Sequence, residues 1–574
     1  MQVTEYIVKF LKSKGISCVF ELSGGMIMQL IDSIHLDGTI KLVTVHHEQT
    51  SSFAADAVGR ITGLPGVAIA TSGPGATNLL TGIGSCFFDS SPALFLTGQV
   101  NQSEQKKDKN IRQLGFQETD IVSMVKPITK FAYQITDAGQ VPYYLEKAFN
   151  ISISGRPGPV LLDIPMDIFR ANLDETIYAE RQTAEAKNKG LDERLVNNLV
   201  AGLKQAQRPV ILAGGGINAS RTAPLLRQIV EKLSIPVVYS LLGVDILPSN
   251  HKLRVGMIGT YGNRWANISL YNSDFVLVLG SRLDIRQTGA DTISFKKNKI
   301  IYHVDCEPEE INNRVVGCEV LTADLKDFMP FFNEKIKGDF FEPKEQWLKQ
   351  IEYLKDQWPD VNELQNIKGI NPNVFMHALS KAKIDFTAYV ADVGQHQMWA
   401  AQSIEIKQGQ RFLTSGGMGA MGFSLPAAIG VCMSTSLKPV CVIAGDAGFQ
   451  LNIQELQTIV RNNLPIKIVI INNNCHGMTR QFQETYFKER YQSTIWGYSA
   501  PNFAKVAQAY GIDAETISTE SEINSGLLKM EASSKPFLLQ VMIDSYVNVY
   551  PKLAFGLPMS EMEPFAKPME MEST

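Results

Sequence analysis

Short runs of apolar, β-branched residues recur along the chain, each separated from the next by an amphipathic segment. Val67-Ala68-Ile69-Ala70, Val210-Ile211-Leu212-Ala213, Phe275-Val276-Leu277-Val278-Leu279, Val440-Cys441-Val442-Ile443-Ala444 and Ile468-Val469-Ile470-Ile471 are the clearest. Continuous apolar runs of this length suit strands buried on both faces, and the alternation predicts parallel sheets covered by helices. The fold class expected is therefore α/β, with doubly wound parallel sheets. Nearly every run ends in Gly, Ser, Asp or Asn, and ligands of open α/β sheets bind at those carboxyl ends. Two stretches read as linkers: Asn172 to Gly190, charged and without apolar periodicity, and Gly338 to Asn373, which follows a Lys/Glu-rich region and ends at Gly369-Ile370-Asn371-Pro372. They divide the chain into domains expected at 1–172, 190–337 and 370–555. The Met/Glu/Pro-rich end, 556–574, reads as a loosely ordered tail.

Composition narrows the function classes. The chain has 574 residues, of which 44% are hydrophobic, enough for several cores. Lys and Arg number 54 and Asp and Glu 58, a net charge of −4, which argues against a nucleic-acid binder held by a basic face. No apolar run approaches the roughly 20 residues that span a bilayer. Glu5 stands where a secretory signal would carry base, so a cytoplasmic location is expected. The cysteines number seven, an odd count with no CxxC, and several lie inside strand-like runs. They are expected to be reduced, buried thiols and neither disulfides nor zinc ligands.

The strongest constellation lies in the third segment. A strand ending in Gly445-Asp446-Ala447-Gly448 is followed, 27 residues on from Asp446, by a second ending in Asn472-Asn473-Asn474. One helix and a return strand fit that interval, which puts a carboxylate and an amide oxygen at the ends of neighbouring parallel strands. Hard oxygen ligands suit Mg²⁺, which binds through few protein groups plus phosphate oxygens. The glycines admit a diphosphate, and the following helix offers its N-terminus to the charge. Earlier, Glu48 follows the strand-like Leu42-Val43-Thr44-Val45 and leads into a small-residue helix, Ser51 to Gly59.

These motifs resemble those of thiamine-diphosphate (ThDP) enzymes, and longer strings resemble the acetohydroxyacid synthase (acetolactate synthase) catalytic subunit. The strings are His47-Glu48-Gln49, Ala70 to Leu79, Gly155-Arg156-Pro157-Gly158-Pro159, Val393 to Gln402 and Thr414 to Phe423. The resemblance spans residues 1 to about 555 in order. It implies a pyrimidine-binding domain, a central FAD or nucleotide domain and a diphosphate/Mg²⁺ domain. Glu48 is implied to hydrogen-bond the ThDP aminopyrimidine, general acid/base work delegated to the cofactor. Pro74 and Asn78 are implied to line that pocket, with Gly419 and Met421 holding the cofactor's other side. Val393, Gly394, Gln395, His396, Gly445, Asp446, Ala447, Gly448, Asn473, His476, Gly477 and Met478 are implied to surround the diphosphate end. Asp446, Asn473 and the Cys475 carbonyl are the implied metal ligands. For FAD the implied set is Arg156, Gly214, Gly215, Gly216, Arg282, Asp284, Arg286 and Asp305. Gly25, Phe116 and Gln117 would border the substrate.

The resemblance further implies decarboxylation of pyruvate and transfer of the two-carbon unit to a second 2-keto acid. It implies a homodimer or homotetramer and leaves a regulatory small subunit open. Departures from the family pattern gather around the acceptor: Ser23, His46, Met166, Cys475-His476 and Phe482. Ala447 replaces the middle glycine of the metal motif, while Ile258 and Ile285 alter the FAD set. Other acceptors, such as a keto sugar nucleotide, and a pyruvate-oxidase-type flavoenzyme therefore stay as alternatives. A non-catalytic scaffold predicts loss of the activating Glu or the metal ligands, and all are present.

Overall fold

The computed structural model describes residues 1–173 and 191–570. Residues 174–190 of the first expected linker, and 571–574 of the expected tail, lie outside them. Three parallel six-stranded sheets form the framework. The first is β1 (Cys18–Glu21), β2 (Lys41–Thr44), β3 (Gly66–Ala70), β4 (Ala93–Gln99), β5 (Phe131–Gln134) and β6 (Pro159–Pro165), in the order β2-β1-β3-β4-β6-β5. The second is β7 (Pro209–Ala213), β8 (Val237–Tyr239), β9 (Arg254–Met257), β10 (Phe275–Leu279), β11 (Ile300–Asp305) and β12 (Glu319–Thr322). Its order is β12-β11-β10-β7-β8-β9. The third is β13 (Ala388–Ala391), β14 (Arg411–Leu413), β15 (Val440–Gly445), β16 (Ile466–Asn472), β17 (Asp513–Ile517) and β18 (Phe537–Met542). It runs β14-β13-β15-β16-β18-β17. The central strands are buried at every position, as their unbroken apolar runs require.

The chain condenses into two compact units that do not follow the sheet boundaries. One holds residues 1–173 with Ser415–Val440 and Phe449–Ile466. Within it the helix Glu48–Thr62 packs on the helix Ser424–Ser434. A Cβ at Gly430 would stand 2.3 Å from the Ala54 carbonyl oxygen, and Phe53 meets Phe423 edge to face at 5.5 Å. The other unit holds residues 191–414, Cys441–Gly448 and 467–570.

Two expectations need correction. The stretch 338–373 is not an unstructured linker, because Glu345–Gln357 is a helix with Trp347 and Ile351 buried against the second sheet's core. Among its charged residues Trp347, Leu348, Ile351 and Leu354 recur at helical spacing, and this stripe seats one helix face. The expected loose tail is also partly built in. Met562–Glu563 (β20) pairs antiparallel with Lys552–Leu553 (β19), and the buried Lys552 ammonium meets Glu563 at 2.9 Å. Among the described residues no helix is long and apolar enough to cross a membrane. Six of the seven thiols are buried and Cys306 is half-buried.

Candidate active site

The C-terminal ends of three adjacent strands, β13, β15 and β16, converge in the second unit. β13 runs out into Asp392-Val393-Gly394-Gln395-His396, β15 into Asp446, and β16 into Asn473. The neighbouring-strand geometry expected for Asp446 and Asn473 is therefore present. Both side chains are nearly inaccessible. Asn473 donates from Nδ2 to Gln395 Oε1 at 3.0 Å, and its Oδ1 accepts the Cys475 N–H at 3.2 Å. The Asp446 carboxylate accepts the Tyr498 hydroxyl at 3.0 Å. Burial pushes its carboxyl up to about 6, against the pull of Tyr498 and nearby backbone N–H groups. A divalent cation is the countercharge that returns such a group to its ionised form. The donor set, one carboxylate and one amide oxygen, fits a small hard cation that takes its remaining oxygens from phosphate and water.

The glycines here are fixed by close approach. A Cβ at Gly445 would stand 2.8 Å from the His396 ring, one at Gly448 2.6 Å from Asp392 Oδ1, and one at Gly477 1.9 Å from Gln395 Oε1. His396 is buried, and burial lowers its pKa to about 4, against the pull of Asp392. Its Nε2 has no hydrogen-bond partner, an orphaned polar atom in this strand-end cluster. An anion beside that ring would favour its protonated, donating form. Ala447 causes no distortion that the neighbouring contacts record. His476 packs against the Tyr498 ring at 4.5 Å, and Met478 leans on the third sheet's core.

In the first unit, Glu48 lies in the opening turn of its helix, capped by His47, whose side chain accepts from the Gln49 N–H. It is buried, and Asn78 Nδ2 donates to Glu48 Oε2 at 2.9 Å. Oε1 receives no hydrogen bond from the described residues. Pro74 opens the short helix Pro74–Asn78 that delivers Asn78. The Gly419–Met421 loop is moored to the same unit by groups that sequence reasoning did not single out. Asp89 accepts the Gly416 and Gly417 N–H groups at 2.9 and 2.6 Å, and Arg60 bridges Asp89 to Asp56. Asn452 donates to Gln49 Oε1 and to the Gly422 carbonyl, so one amide joins the turn bearing Glu48 to that loop. Gln117, at φ +65°, is clasped by the Ser72 hydroxyl on its carbonyl. Phe116 beside it is exposed, and Gly25 has open space around it.

The expected nucleotide set is spread along the carboxyl edge of the second sheet. Gly214–Gly216 follow β7, Arg282 follows β10 and Asp305 closes β11, three neighbouring strands. A Cβ at Gly214 would lie 2.1 Å from the Gly280 carbonyl oxygen, so close packing of these two turns already demands glycine. Asp284 caps the short helix Ile285–Thr288, accepting the Arg286 and Gln287 N–H groups. Arg286 has its side chain in solvent, and Arg156, in the first unit, donates to Ser90 at 2.7 Å.

With that geometry in hand, the comparisons with known proteins are direct. Three family models match in chain order: the thiamine pyrophosphate enzyme N-terminal TPP binding domain over residues 1–124, its central domain over 196–330, and its C-terminal TPP binding domain over 392–541. The acetolactate synthase large subunit of Lactococcus lactis subsp. lactis (strain IL1403) is 36% identical over 563 residues, covering 97% of this chain and 95% of that protein. The chain belongs to the acetolactate synthase large-subunit family. The acetolactate synthase isozyme 2 large subunit of Escherichia coli (strain K12) is 33% identical, covering 98% of this chain and 99% of its own. A probable acetolactate synthase large subunit of Methanocaldococcus jannaschii is 35% identical, at 95% and 92%. This family thus spans both clusters just described, the one around Asp446 and the one around Glu48.

Proposed function

We propose that this protein is a ThDP-dependent carboligase that decarboxylates pyruvate and joins the two-carbon unit to a second 2-keto acid, as an acetolactate synthase does. The observation that carries the reading is Glu48, a buried carboxylate with one oxygen held by Asn78 and the other left for a ligand. ThDP, when bound, would supply a nucleophilic thiazolium carbon and an electron sink for decarboxylation of the keto acid. Glu48 would hold or exchange a proton at Oε1 with the cofactor's pyrimidine nitrogen, the step that readies the thiazolium carbon, while Asn78 keeps the carboxylate from rotating away. Asp446 and Asn473 hold Mg²⁺, with the Cys475 carbonyl as a third ligand. Gln395, His396 and Gly477 border the diphosphate, and Met421 with Gly419 supports the cofactor. Gly25, Phe116 and Gln117 border the substrate. FAD is assigned to the carboxyl edge of β7, β10 and β11, where Gly214–Gly216, Arg282, Arg286 and Asp305 stand, with Arg156 as a further contact. A homodimer or homotetramer with keto acid substrates completes the reading, resting on the family resemblance.

The deciding experiment is mass spectrometry of products from pyruvate, alone and with a panel of keto acids and keto sugar nucleotides, with and without FAD, while dioxygen is monitored. Acetolactate formed without dioxygen uptake is expected. Dioxygen consumption matched to pyruvate loss, or a product seen only with a sugar-nucleotide acceptor, overturns the reading. Replacing Gly477 with Ala is expected to displace Gln395 and Asn473 and weaken Mg²⁺/ThDP binding at least about tenfold. The added carbon meets the tips of these two side chains, which hydrogen bonds to the Val547 carbonyl and the Cys475 N–H hold in place. Titration of the apoenzyme by tryptophan fluorescence reads this directly. Unchanged affinity would separate these two side chains from the cofactor.

A further inference from the structure

The amino edge of the second sheet, opposite the glycine turns, carries a cavity of about 410 Å³. Its lining comes from residues that immediately precede three adjacent strands: Arg208 before β7, Tyr271 to Ser273 before β10, and Lys297 to Lys299 before β11. Ser294 and Gln350 complete it. Three cations line this space and no carboxylate does. Lys299 is only 7% exposed. Its ammonium makes one long hydrogen bond, 3.5 Å to the Lys297 carbonyl, and sits 5.2 Å from the Tyr271 ring. Arg208 is oriented by an Nε–H donated to the Asn272 carbonyl at 2.6 Å. Asp274, on the same connection, is turned to the backbone, accepting the N–H groups of Gln207 and Arg208.

A buried ammonium ordinarily has a carboxylate beside it, because desolvation otherwise favours the neutral amine. Here the groups facing Lys299 are Lys296, Lys297, Arg208 and Tyr271, none of them acidic. Burial, reinforced by Lys296 and Arg208, lowers the Lys299 pKa to about 8. The cavity has the size of a small organic anion, with an aromatic ring, hydroxyls and amides around its cationic floor.

We propose that this cavity is a second anion site, which binds the phosphate group of a small phosphorylated metabolite through Lys299, Lys297 and Arg208. The site is separate from the carboxyl edge assigned to a nucleotide and from the Asp446 cluster, and it holds whether or not the carboligase reading does. Phosphate offers several acceptor oxygens to the cationic residues lining this space, and its charge supplies what Lys299 lacks. Inorganic phosphate and a phosphate ester share this chemistry.

The test is isothermal titration of the full-length protein, saturated with ThDP, Mg²⁺ and FAD, with inorganic phosphate, adenosine 5′-monophosphate and uncharged adenosine. Binding of at least one phosphate-bearing probe, and none of adenosine, is expected. Lys299→Met should weaken that binding at least about tenfold. The same variant should melt no lower than the parent, since it removes an unpaired buried charge. Lys337→Met, in an exposed turn after the helix Leu325–Lys335, should bind as the parent does. Acetylation of Lys299 by acetic anhydride at pH 8, followed by peptide mass spectrometry, should slow in the presence of the bound probe. Binding of the two anions in unequal measure tells inorganic phosphate from an ester as the source. Equal binding by parent and Lys299→Met, or no binding of either anion at millimolar concentration, overturns the proposal.

Discussion

Replacing Glu48 with Gln is expected to lower turnover of pyruvate by about two to four orders of magnitude, the range for losing a positioned proton-transfer group. The substitution keeps the shape of the side chain and its contact with Asn78, so the fold and ThDP binding should persist. What it removes is the carboxylate's capacity to exchange a proton at Oε1, the oxygen that Asn78 leaves alone. The effect should fall on kcat with little change in the cofactor concentration needed for half saturation. Steady-state kinetics over a ThDP titration separates the two. Parent-like turnover in the variant would remove Glu48 from the chemistry and leave it a buried helix-start residue.

The second large effect concerns stability. Arg264 and Glu363 form a bidentate pair, with both contacts at 2.7 Å and both side chains almost wholly buried. The same guanidinium packs beside both the Trp358 and Phe565 rings, at 5.0 and 4.9 Å, and donates to the Glu563 carbonyl at 3.1 Å. One side chain thereby fastens the C-terminal segment to the helix Arg264–Asn272. Arg264→Met should destabilise this docking by about 3–5 kcal/mol, because Glu363 keeps its charge with no partner. Amide exchange across residues 552–570 should then quicken by about two orders of magnitude or more. Adding Glu363→Leu to that variant should recover much of the loss, since an apolar pair carries no desolvation penalty. Equal exchange in parent and single variant would mean that Arg264 does not hold the segment in place.

Much of the framework was legible in the sequence because its signals are local. The run Phe275 to Leu279 is a strand with those bounds, and Val440 to Ala444 and Ile468 to Ile471 each grow by one to three residues. Asp446 and Asn473 could be placed because a strand, a turn and a helix of known length connect them. The helix Glu345–Gln357 was missed although Trp347, Leu348, Ile351 and Leu354 recur at helical spacing, because its many charged residues read as a linker; the structure adds that Trp347 and Ile351 are the residues it buries. The tail was misjudged for a related reason. Its partners, Arg264 and Lys552, lie far away or on a two-residue strand that no periodicity marks.

The site divides in the same way. Chain chemistry alone determined that strand ends carry Asp446 and Asn473, that glycines accompany them, and that Glu48 begins a small-residue helix, while Gln395 and His396 entered through the family resemblance. Tertiary structure alone decided that Tyr498 bonds Asp446, that Asp392 stands where Gly448 must have no side chain, and that Asn452 joins the Glu48 turn to the Gly422 loop. It also decided that cations from two separate connections, Arg208 before β7 and Lys297 with Lys299 before β11, line one cavity. The physical reason is range. Backbone conformation and strand burial are set by neighbours within a few residues, whereas desolvation and hydrogen-bond pairing depend on groups that meet only when sheets and loops are packed.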